Sequence, residues 1–419
     1  MNSILRCQVI RLNSLRSIIA PQLKQYRNLI ATNNALIQLS KSYCVVKPYK
    51  AAILEEFNKK LVIKLIKNRA KLGQGMVRVG VNYCSLNLYD VKCMENPNDE
   101  FVLPMIPGTE FSGEVIERGP DCEQNLKKGE KVAVLLSYKG SGGGLATECV
   151  VSENECFSIG SVSSKNAAVL IQGHGTALLA FTRYCELKEN DILIVIAGPA
   201  GNGLAAIQLA NSVFKAKVYA ICDTEDTSAL IREEGAYKTI SINEGYTNVY
   251  KFLADALKDK KAKVVYDAVG GNIMHVVKDF MDANGHFLTA DPTYSPEHFV
   301  ASKPEFKKPN KKTSNESAEL STSDLVSKIK FVDLTKYREE NLELYRQIIQ
   351  DTLSLCEEEI ITPYISNCFK LDDVNEAVEF IKGKKCTGKV LIDLKSQKKT
   401  SEKSETDSDS ESDVEKPSK

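Results

Sequence analysis

The chain has 419 residues, enough for two domains with their own hydrophobic cores and for tails. Its 55 lysines and arginines equal its 55 aspartates and glutamates, so no overall field attracts nucleic acid, and we predict no nucleic-acid partner. The 12 cysteines are scattered, with no C-x-x-C pair and no Cys–His cluster at metal spacing. We therefore predict reduced thiols and no metal site.

The N-terminal segment is basic, and the first acidic residue of the chain is Glu55. Arginine, serine and apolar residues without acids are typical of a mitochondrial transit peptide, and Leu5, Leu12 and Leu15 fall near one helical face. We predict that residues 1–44 direct the protein to the mitochondrial matrix. The alternative is a basic, disordered N-terminus on a cytoplasmic protein. Arginines interrupt the apolar runs, so we predict no membrane span.

Residues 45–170 are predicted to form a β-rich domain. Met76–Leu86 and Phe111–Glu117 have the composition of strands, and Leu126–Leu136 supplies a turn that leads into a buried strand. Glycine and proline separate these short segments, as expected where strands are joined by turns.

The stretch DILIVIAGPAGNGLAAIQLA, residues 191–210, is typical of a nucleotide-binding turn. A buried strand, Ile192–Ala197, leads into a turn of the form G-x-A-G-x-G and then into a helix from Leu204. Small residues in such a turn let a pyrophosphate approach the N–H groups at the helix N-terminus. The predicted phosphate contacts are Gly198, Ala200, Gly201 and Gly203. The alternative is that these glycines serve only close packing of strand and helix, because alanine occupies the place of the middle glycine.

A second apolar strand, Lys217–Cys222, follows at βαβ distance and ends at Asp223, where a carboxylate can accept hydrogen bonds from an adenosine ribose. Lys263–Gly271 and Gly285–Asp291 add two further buried strands. Apolar strands that alternate with helical stretches indicate a parallel, doubly wound sheet, with ligands at the carboxyl ends of its strands.

The last part of the chain is predicted to alternate between helix and strand. Asn341–Leu355 is helical, Ile360–Phe369 is extended, and Asp372–Ile381 is a helix started by an aspartate cap. Gly388–Leu394 forms a final strand. Residues 396–419 are charged and rich in serine, so we predict a disordered tail.

Four blocks of the chain resemble the pattern of medium-chain dehydrogenases/reductases, in their quinone oxidoreductase branch. The blocks are LPMIPGTEFSGEV at 103–115, LKKGEKV at 126–132, GTALLAF at 175–181 and CTGKVLIDL at 386–394. The resemblance implies an α/β fold in which a GroES-like β domain, residues 45–170 completed by 336–395, carries an inserted Rossmann domain. That inserted domain, residues 171–335, would hold the doubly wound parallel sheet and a polar surface loop at 299–327.

The resemblance also implies a zinc-independent hydride transfer from NADPH or NADH to a quinone or an α,β-unsaturated carbonyl. Asn87 and Asp90 match the G-V-N-x-x-D block at the active-site cleft of the family, although ordinary turn chemistry is an alternative for both. Lys92 stands where several reductases have a tyrosine, and lysine can donate to an enolate oxygen. His174 is either a proton donor near the cleft or a structural histidine.

The resemblance implies three further cofactor contacts. Thr176 matches a family threonine that packs near the nicotinamide, and Gly270 and Gly271 match a contact at the end of a strand. NADPH-binding relatives commonly have a lysine after the second strand, whereas Asp223 and neighbouring acids stand there in this chain. These carboxylates would repel a 2′-phosphate by roughly a few kcal/mol if little screened, so NADH is at least as plausible a cofactor as NADPH.

Two functional hypotheses follow from the sequence. The first is a reductase that acts on a small-molecule quinone or enone. The second is a catalytically inactive nucleotide-binding or interaction protein that retains the fold, and it is favoured by the departures from the family at Lys92, Ala200 and Asp291. Relatives often pair through an edge of the nucleotide-binding sheet, so a homodimer is possible.

Overall fold

The computed structural model describes residues 48–95, 102–137, 142–198, 201–290 and 326–396. The predicted transit peptide, Ala200, Asp291, most of the predicted 299–327 loop and the tail beyond Ser396 lie outside these residues. All elements below belong to one compact unit that spans Tyr49–Ile66 and Ala70–Lys419. In the described part of the chain, no helix is long and apolar enough to cross a membrane.

The described residues contain strands throughout and helices mainly in the second half. The strands are β1 Tyr49–Ile53, β2 Val62–Ile66, β3 Met76–Leu86, β4 Glu110–Arg118, β5 Lys131–Leu135, β6 Glu148–Ser152, β7 Cys156–Ser158, β8 Ile192–Ile196, β9 Lys217–Cys222, β10 Lys238–Ser241, β11 Ala262–Asp267, β12 Met281–Thr289, β13 Ile329–Phe331, β14 Ile365–Lys370 and β15 Lys389–Asp393. The helices are α1 Leu88–Glu95, α2 Ser164–Leu170, α3 Thr176–Leu179, α4 Asn202–Ser212, α5 Glu225–Glu233, α6 Tyr246–Leu257, α7 Met274–Val277, α8 Leu334–Glu340, α9 Leu342–Glu357 and α10 Val374–Lys382.

The first sheet joins the two ends of the chain. Its strand order is β14-β15-β3-β4-β5-β7, and β6 also pairs with β3. The antiparallel register of β15 and β3 places Val390 opposite Leu86 and Leu391 opposite Ser85. Strands from the end of the chain therefore complete a sheet begun in its first third, as the GroES-like prediction requires. The β1–β2 hairpin is a separate two-stranded sheet.

The second sheet has six parallel strands in the order β10-β9-β8-β11-β12-β13. Along the chain, β8 is the first strand of this sheet and lies in its middle. Strands β9 and β10 follow on one side of β8, and β11 to β13 follow on the other side. The strand order thus reverses between β8 and β11, and ligands of such sheets bind at the carboxyl ends of the strands beside this reversal. The predicted fold class, a GroES-like β domain with a doubly wound parallel sheet, is confirmed.

Strand β8 explains why its sequence is a continuous apolar run. Leu193 and Val195 pack into one core cluster, with Phe181 and Tyr266, while Ile194 packs into a second cluster with β9 and α6. Alternate side chains of a strand point to opposite faces, so a strand covered on both faces is apolar at every position. This burial on both sides fixes the strand end that positions the glycine-rich turn.

Most predicted element bounds agree with the structure to within a few residues, and one predicted cap is wrong. The C-terminal helix was expected to start with an aspartate cap, but its N-cap residue, Asp373, makes no side-chain capping hydrogen bond. Asp372 precedes it in a 3-10 turn and accepts a hydrogen bond from the Lys50 Nζ at 2.6 Å. The Asp372 carboxylate, which the sequence pattern predicts to cap the helix, therefore binds the ammonium of the distant Lys50. The predicted domain boundaries stay predictions.

Candidate functional site

A cavity of about 250 Å³ lies at the carboxyl ends of β8, β9 and β11, beside the reversal of strand order. Its wall is mostly apolar, and Asp223, Lys382 and Lys384 add charged groups to it. The main apolar wall residues are Ile196, Ile221, Ile242, Val269, Ile273 and Ile381. An apolar cavity of this size accommodates an aromatic base, and polar groups among its lining residues can orient the rest of a ligand.

One glycine of the glycine-rich turn lines the cavity and another packs against β8. Gly198 lines the cavity, and its predicted contact with a phosphate stays a prediction. Gly201 has a φ of +85° and its carbonyl accepts a hydrogen bond from the Ala205 N–H at 3.0 Å, so α4 begins at Asn202, two residues earlier than predicted. Ala200 lies outside the described residues.

Gly203, the last glycine of the turn, is required by packing. A Cβ at this position would lie 2.6 Å from the Cα of Ala197, so no side chain fits between α4 and β8 without moving the backbone. Packing therefore accounts for Gly203, and it also acts at Gly198, where a Cβ would lie 2.9 Å from the Val269 Cγ2.

Asp223 follows β9 and lines the same cavity. Its Oδ1 is buried and has no hydrogen-bond partner among the described residues. The neighbouring Glu225 is held differently, since its Oε1 pairs with the Arg232 guanidinium at 3.0 Å. A buried carboxylate oxygen that lacks a protein donor is a position where a ligand hydroxyl is expected to donate.

The turn after β11 also lines the cavity. The Asp267 Oδ1 accepts hydrogen bonds from the N–H groups of Val269 at 3.0 Å and Gly270 at 2.8 Å. Gly270 and Gly271 both have positive φ, +80° and +91°, which glycine adopts without strain. Gly270 lines the cavity, while Gly271 is exposed beside it.

Two lysines and a cysteine that the sequence analysis did not select also line the cavity. Lys382, Lys384 and Cys386 come from the end of α10 and the segment before β15. Lys382 Nζ pairs with Glu95 Oε1 at 2.8 Å. The signal available in the sequence was the basic run KGKK directly before the family block CTGKVLIDL, and only the joining of the two chain ends reveals where this run lies.

Asn87 lies between β3 and α1 and is buried in a polar cluster. Its Oδ1 accepts from Lys389 Nζ at 2.9 Å and from Ser85 Oγ at 3.3 Å. Its Nδ2 donates to Glu110 Oε2 at 3.4 Å, and Glu110 Oε1 in turn accepts the Gln172 N–H at 2.8 Å. Leu88, the next residue in the chain, lines the cavity, so this cluster adjoins the cavity wall.

Asp90 fixes the start of α1. Its Oδ2 accepts the Asn87 N–H at 2.7 Å, and its Oδ1 accepts the Thr109 hydroxyl at 3.4 Å. Burial raises the pKa of Asp90 to about 6, and the nearby Glu110 carboxylate adds to the rise, against the lowering effect of the hydrogen bond from Asn87. Lys92 is half-buried in the last turn of α1 and is not one of the described residues that line the cavity.

Thr176 and His174 lie in a helical stretch that contains π-helical turns at Ile171–Gly175 and Ala180–Tyr184. Thr176 is buried, and its Oγ1 has no hydrogen-bond partner among the described residues. His174 Nε2 lies 2.9 Å from Gln208 Oε1, and burial lowers the pKa of His174 to about 4. Gln208 uses its Nε2 to donate elsewhere, so its Oε1 accepts and His174 is a neutral donor with a structural contact. The predicted catalytic roles of Asn87, Asp90 and Lys92 stay predictions.

A nicotinamide dinucleotide fits these residues. The apolar cavity would accommodate the adenine, the Asp223 Oδ1 would accept from the ribose, and the N-terminus of α4 after Gly201 would stabilise the pyrophosphate. In the described part of the chain, no group of three or more histidine, cysteine, aspartate or glutamate side chains is arranged to hold a metal ion.

Comparison with known proteins agrees with this arrangement. The family described as Alcohol dehydrogenase GroES-like domain matches residues 73–193, and the family described as Zinc-binding dehydrogenase matches residues 235–392. The chain is 32% identical over 356 residues to the quinone oxidoreductase-like protein 2 homolog of Nematostella vectensis, covering 83% of this chain and 90% of that protein.

Solved structures share the fold. A putative NADPH:quinone reductase from Bacillus thuringiensis superposes with a TM-score of 0.68 at 20% identity, over 83% of this chain and 99% of that one. The mycobacterial protein Rv1454c, solved as a complex with NADPH, gives a TM-score of 0.66 at 18% identity, over 82% and 99%. Sequence and fold together place the chain in one group of proteins: it belongs to the quinone oxidoreductase-like family of the medium-chain dehydrogenases/reductases.

Proposed function

We propose that this chain is an NAD(P)H-dependent oxidoreductase that reduces a quinone or an α,β-unsaturated carbonyl. The observation that carries the proposal is the cavity at the reversal of strand order, in which Gly198, Asp223 and Gly270 face one space. Its apolar wall suits a base, its buried carboxylate oxygen suits a ribose, and a helix N-terminus follows the turn.

The bound dinucleotide would supply the two electrons as a hydride, and solvent would supply the second proton, so that a quinone becomes a hydroquinone. The protein's part is to hold the acceptor and to meet the negative charge that develops on its carbonyl oxygen. Asn87 is the residue to which we assign this contact. Its amide nitrogen carries two hydrogens, and the hydrogen bond to Glu110 uses one of them.

We propose that NADH is preferred to NADPH. Asp223 presents a buried carboxylate oxygen where a 2′-phosphate would stand. Lys384 lines the same cavity, but its side chain is exposed, so water screens its charge more strongly than it screens the buried oxygen. The carboxylate therefore dominates the choice of cofactor.

The first experiment is a fluorescence titration of the full chain with NADH and with NADPH, followed by a spectrophotometric assay with p-benzoquinone, menadione and methyl vinyl ketone. We expect micromolar binding of NADH, weaker binding of NADPH, and oxidation of NADH by at least one acceptor. Binding without turnover of any acceptor would favour a non-catalytic nucleotide-binding protein. Failure to bind either cofactor at millimolar concentration would refute the proposal.

We propose further that residues 1–44 carry the protein to the mitochondrial matrix, because this segment is basic and lacks acids. A fusion of these residues to a fluorescent protein should colocalise with a matrix marker. Replacing Arg6, Arg11 and Arg16 by glutamine in the fusion removes the positive charge that import needs. Cytoplasmic fluorescence of the unaltered fusion would contradict the proposal.

We propose that the protein is a homodimer through the edge of the parallel sheet. Among the described strands, β13 forms one edge of that sheet, and Phe331 on it is 40% exposed. Light scattering behind a sizing column gives the mass directly. A monomer at micromolar concentration would refute the proposal, and Phe331→Asp should weaken a dimer that uses this edge.

A further inference from the structure

Lys389 and Glu110 form an ion pair that is almost inaccessible to water. The two side chains are 4% and 0% exposed, and Nζ lies 3.6 Å from Oε2. Lys389 is the first residue of β15, and the register that pairs Val390 with Leu86 places it opposite Asn87. Glu110 is the first residue of β4 and pairs with Ser85 on the other side of β3. The sheet thus brings a cation and an anion to the two flanks of Asn87.

The two charges determine which way the Asn87 amide points. An ammonium can only donate, so Lys389 Nζ, at 2.9 Å, must face Oδ1. An ionised carboxylate can only accept, so Glu110 Oε2 faces Nδ2. Turning the amide over would bring Nδ2 against the ammonium and Oδ1 against the carboxylate. The amide therefore keeps one orientation, in which the second N–H of Nδ2 is left for another acceptor.

Lys389 also connects Asn87 with the glycine-rich turn. A Cβ on Gly201 would lie 3.2 Å from the carbonyl carbon of Gly388 and 3.3 Å from the Lys389 nitrogen, so the turn packs directly on this backbone. The Lys389 N–H donates to the Tyr364 carbonyl at 2.9 Å, which fixes the start of β15. The residue that orients Asn87 is thus held against the segment that receives the cofactor phosphates.

We propose that Lys389 and Glu110 are positioning residues for the Asn87 amide, so that its free N–H is presented to the oxygen of the bound acceptor. This inference rests on the proposed function, since it assigns the acceptor as a carbonyl compound on which negative charge develops. Neither residue touches the acceptor itself. Their effect passes through Asn87, so the variants should change oxyanion stabilisation much more than cofactor affinity.

The decisive variant is the double substitution Glu110→Gln with Lys389→Met, which removes both charges and leaves neither unpaired in the interior. Lys389→Arg is the conservative variant, because it keeps a donor for Oδ1. The matched control is Glu155→Gln with Arg338→Met, which removes another ion pair of low exposure, 2.7 Å long, between α8 and the turn after β6. Thermal unfolding and the dissociation constant of NADH are measured for all of them.

The test of positioning has two readouts on the full chain with NADH. We expect kcat for a quinone to fall by roughly 100-fold in the double variant, with the NADH dissociation constant changed by less than about threefold and with partial recovery in Lys389→Arg. Binding of p-nitrophenolate, a stable oxyanion, is measured by its absorbance with the oxidised cofactor present and needs no turnover. Its affinity should fall by about tenfold, or roughly 1.4 kcal/mol, in the double variant only.

Each result decides a separate point. Unchanged kcat and phenolate affinity in the double variant would overturn the positioning role, as would equal losses in the control pair. If the unaltered protein binds cofactor but reduces no acceptor, the proposed function fails, whereas the difference in phenolate affinity still decides the role of the pair. Failure of the unaltered protein to bind phenolate would overturn the proposal, because the N–H would then face no acceptor site.

Discussion

Asp223→Ser tests the assignment of the cavity and of the cofactor in one substitution. It removes the carboxylate whose Oδ1 is buried without a partner among the described residues, and it leaves a small hydroxyl that accepts and donates. Asp223 is the residue through which the cavity would distinguish a ribose hydroxyl from a 2′-phosphate. The lysines of the cavity stay in place and then face no carboxylate at the end of β9.

The expected effect is large because the removed charge is partly buried. Two unit charges about 4 Å apart interact by about 4 kcal/mol at an effective dielectric constant of about 20 and by about 1 kcal/mol in bulk water. A group at the cavity edge falls between these limits, so relief of about 2–4 kcal/mol toward NADPH is expected, or roughly 30- to 1000-fold in affinity. NADH loses a hydrogen bond to a charged group, worth about 1.5–3 kcal/mol, and should bind roughly 10- to 150-fold more weakly.

The assay is fluorescence titration of both cofactors at low and at high salt. The control is Asp226→Ser, which removes the same charge from an exposed position in the first turn of α5 and should leave the ratio of the two dissociation constants nearly unchanged. Adding Lys384→Ala to Asp223→Ser should cancel part of the gain for NADPH. High salt should reduce the discrimination in the unaltered protein, because the 2′-phosphate and the carboxylate repel each other through partly aqueous space.

An unchanged ratio of the NADH and NADPH dissociation constants in Asp223→Ser would refute this reasoning. The same ratio change in Asp226→Ser would also refute it, because a general field of the acidic segment, rather than the buried oxygen, would then decide the preference.

Three further predictions concern stability and reactivity. Because burial raises the pKa of Asp90 from 3.8 to about 6, folding takes up a proton between these values, and this contribution to stability, fully present below pH 3.8, is lost as the pH rises through about 6. Asp90→Asn should therefore flatten the pH dependence of urea unfolding and raise the free energy of unfolding at neutral pH by up to about 3 kcal/mol; a lowered value there would contradict the shift. Gly203→Ala should lower the melting temperature without any cofactor present, because the added Cβ would lie 2.6 Å from the Ala197 Cα. An unchanged melting temperature would show that the backbone of the turn moves to make room for the methyl group. Iodoacetamide at neutral pH should label the exposed Cys368 before the buried Cys386, as measured by peptide mass spectrometry. Bound NADH should slow the labelling of Cys386 further, because Cys386 lines the cavity. Earlier labelling of Cys386 would mean that the cavity is more open to solvent than in this structure.

The sequence predicted those parts of the molecule that depend on neighbouring residues. Strands Met76–Leu86 and Lys217–Cys222 have the predicted bounds, because each is a run whose composition and flanking turns act locally. The positions of Gly198 and Asp223 were also predictable, since each residue directly follows the end of a strand. Order along the chain was enough to place these two residues at one end of one sheet.

The parts that were missed depend on contacts between distant segments. Lys389 lies more than 300 residues after Asn87, and no periodicity in either segment indicates that an ammonium orients that amide. Lys384 enters the cavity for the same reason, because β15 returns to pair with β3. The acidic stretch after β9 contains no base of its own, and Arg232 in the following helix pairs with Glu225. The lysines that line the cavity with Asp223 come from the far end of the chain.

The order of the strands has a consequence for how the protein is made. The strands of the parallel sheet, β8 to β13, all precede β14 and β15 in the chain. Lys384, Cys386 and Lys389 also follow the parallel sheet in the chain, and Lys389 begins β15. During synthesis from the N-terminus, the nucleotide-binding half can therefore pair its strands early, but the cleft has no second wall until β15 emerges and inserts beside β3. A chain cut between Phe331 and Lys389 should therefore contain the strands of the parallel sheet but lack the second wall of the cleft, and it should not reduce a substrate.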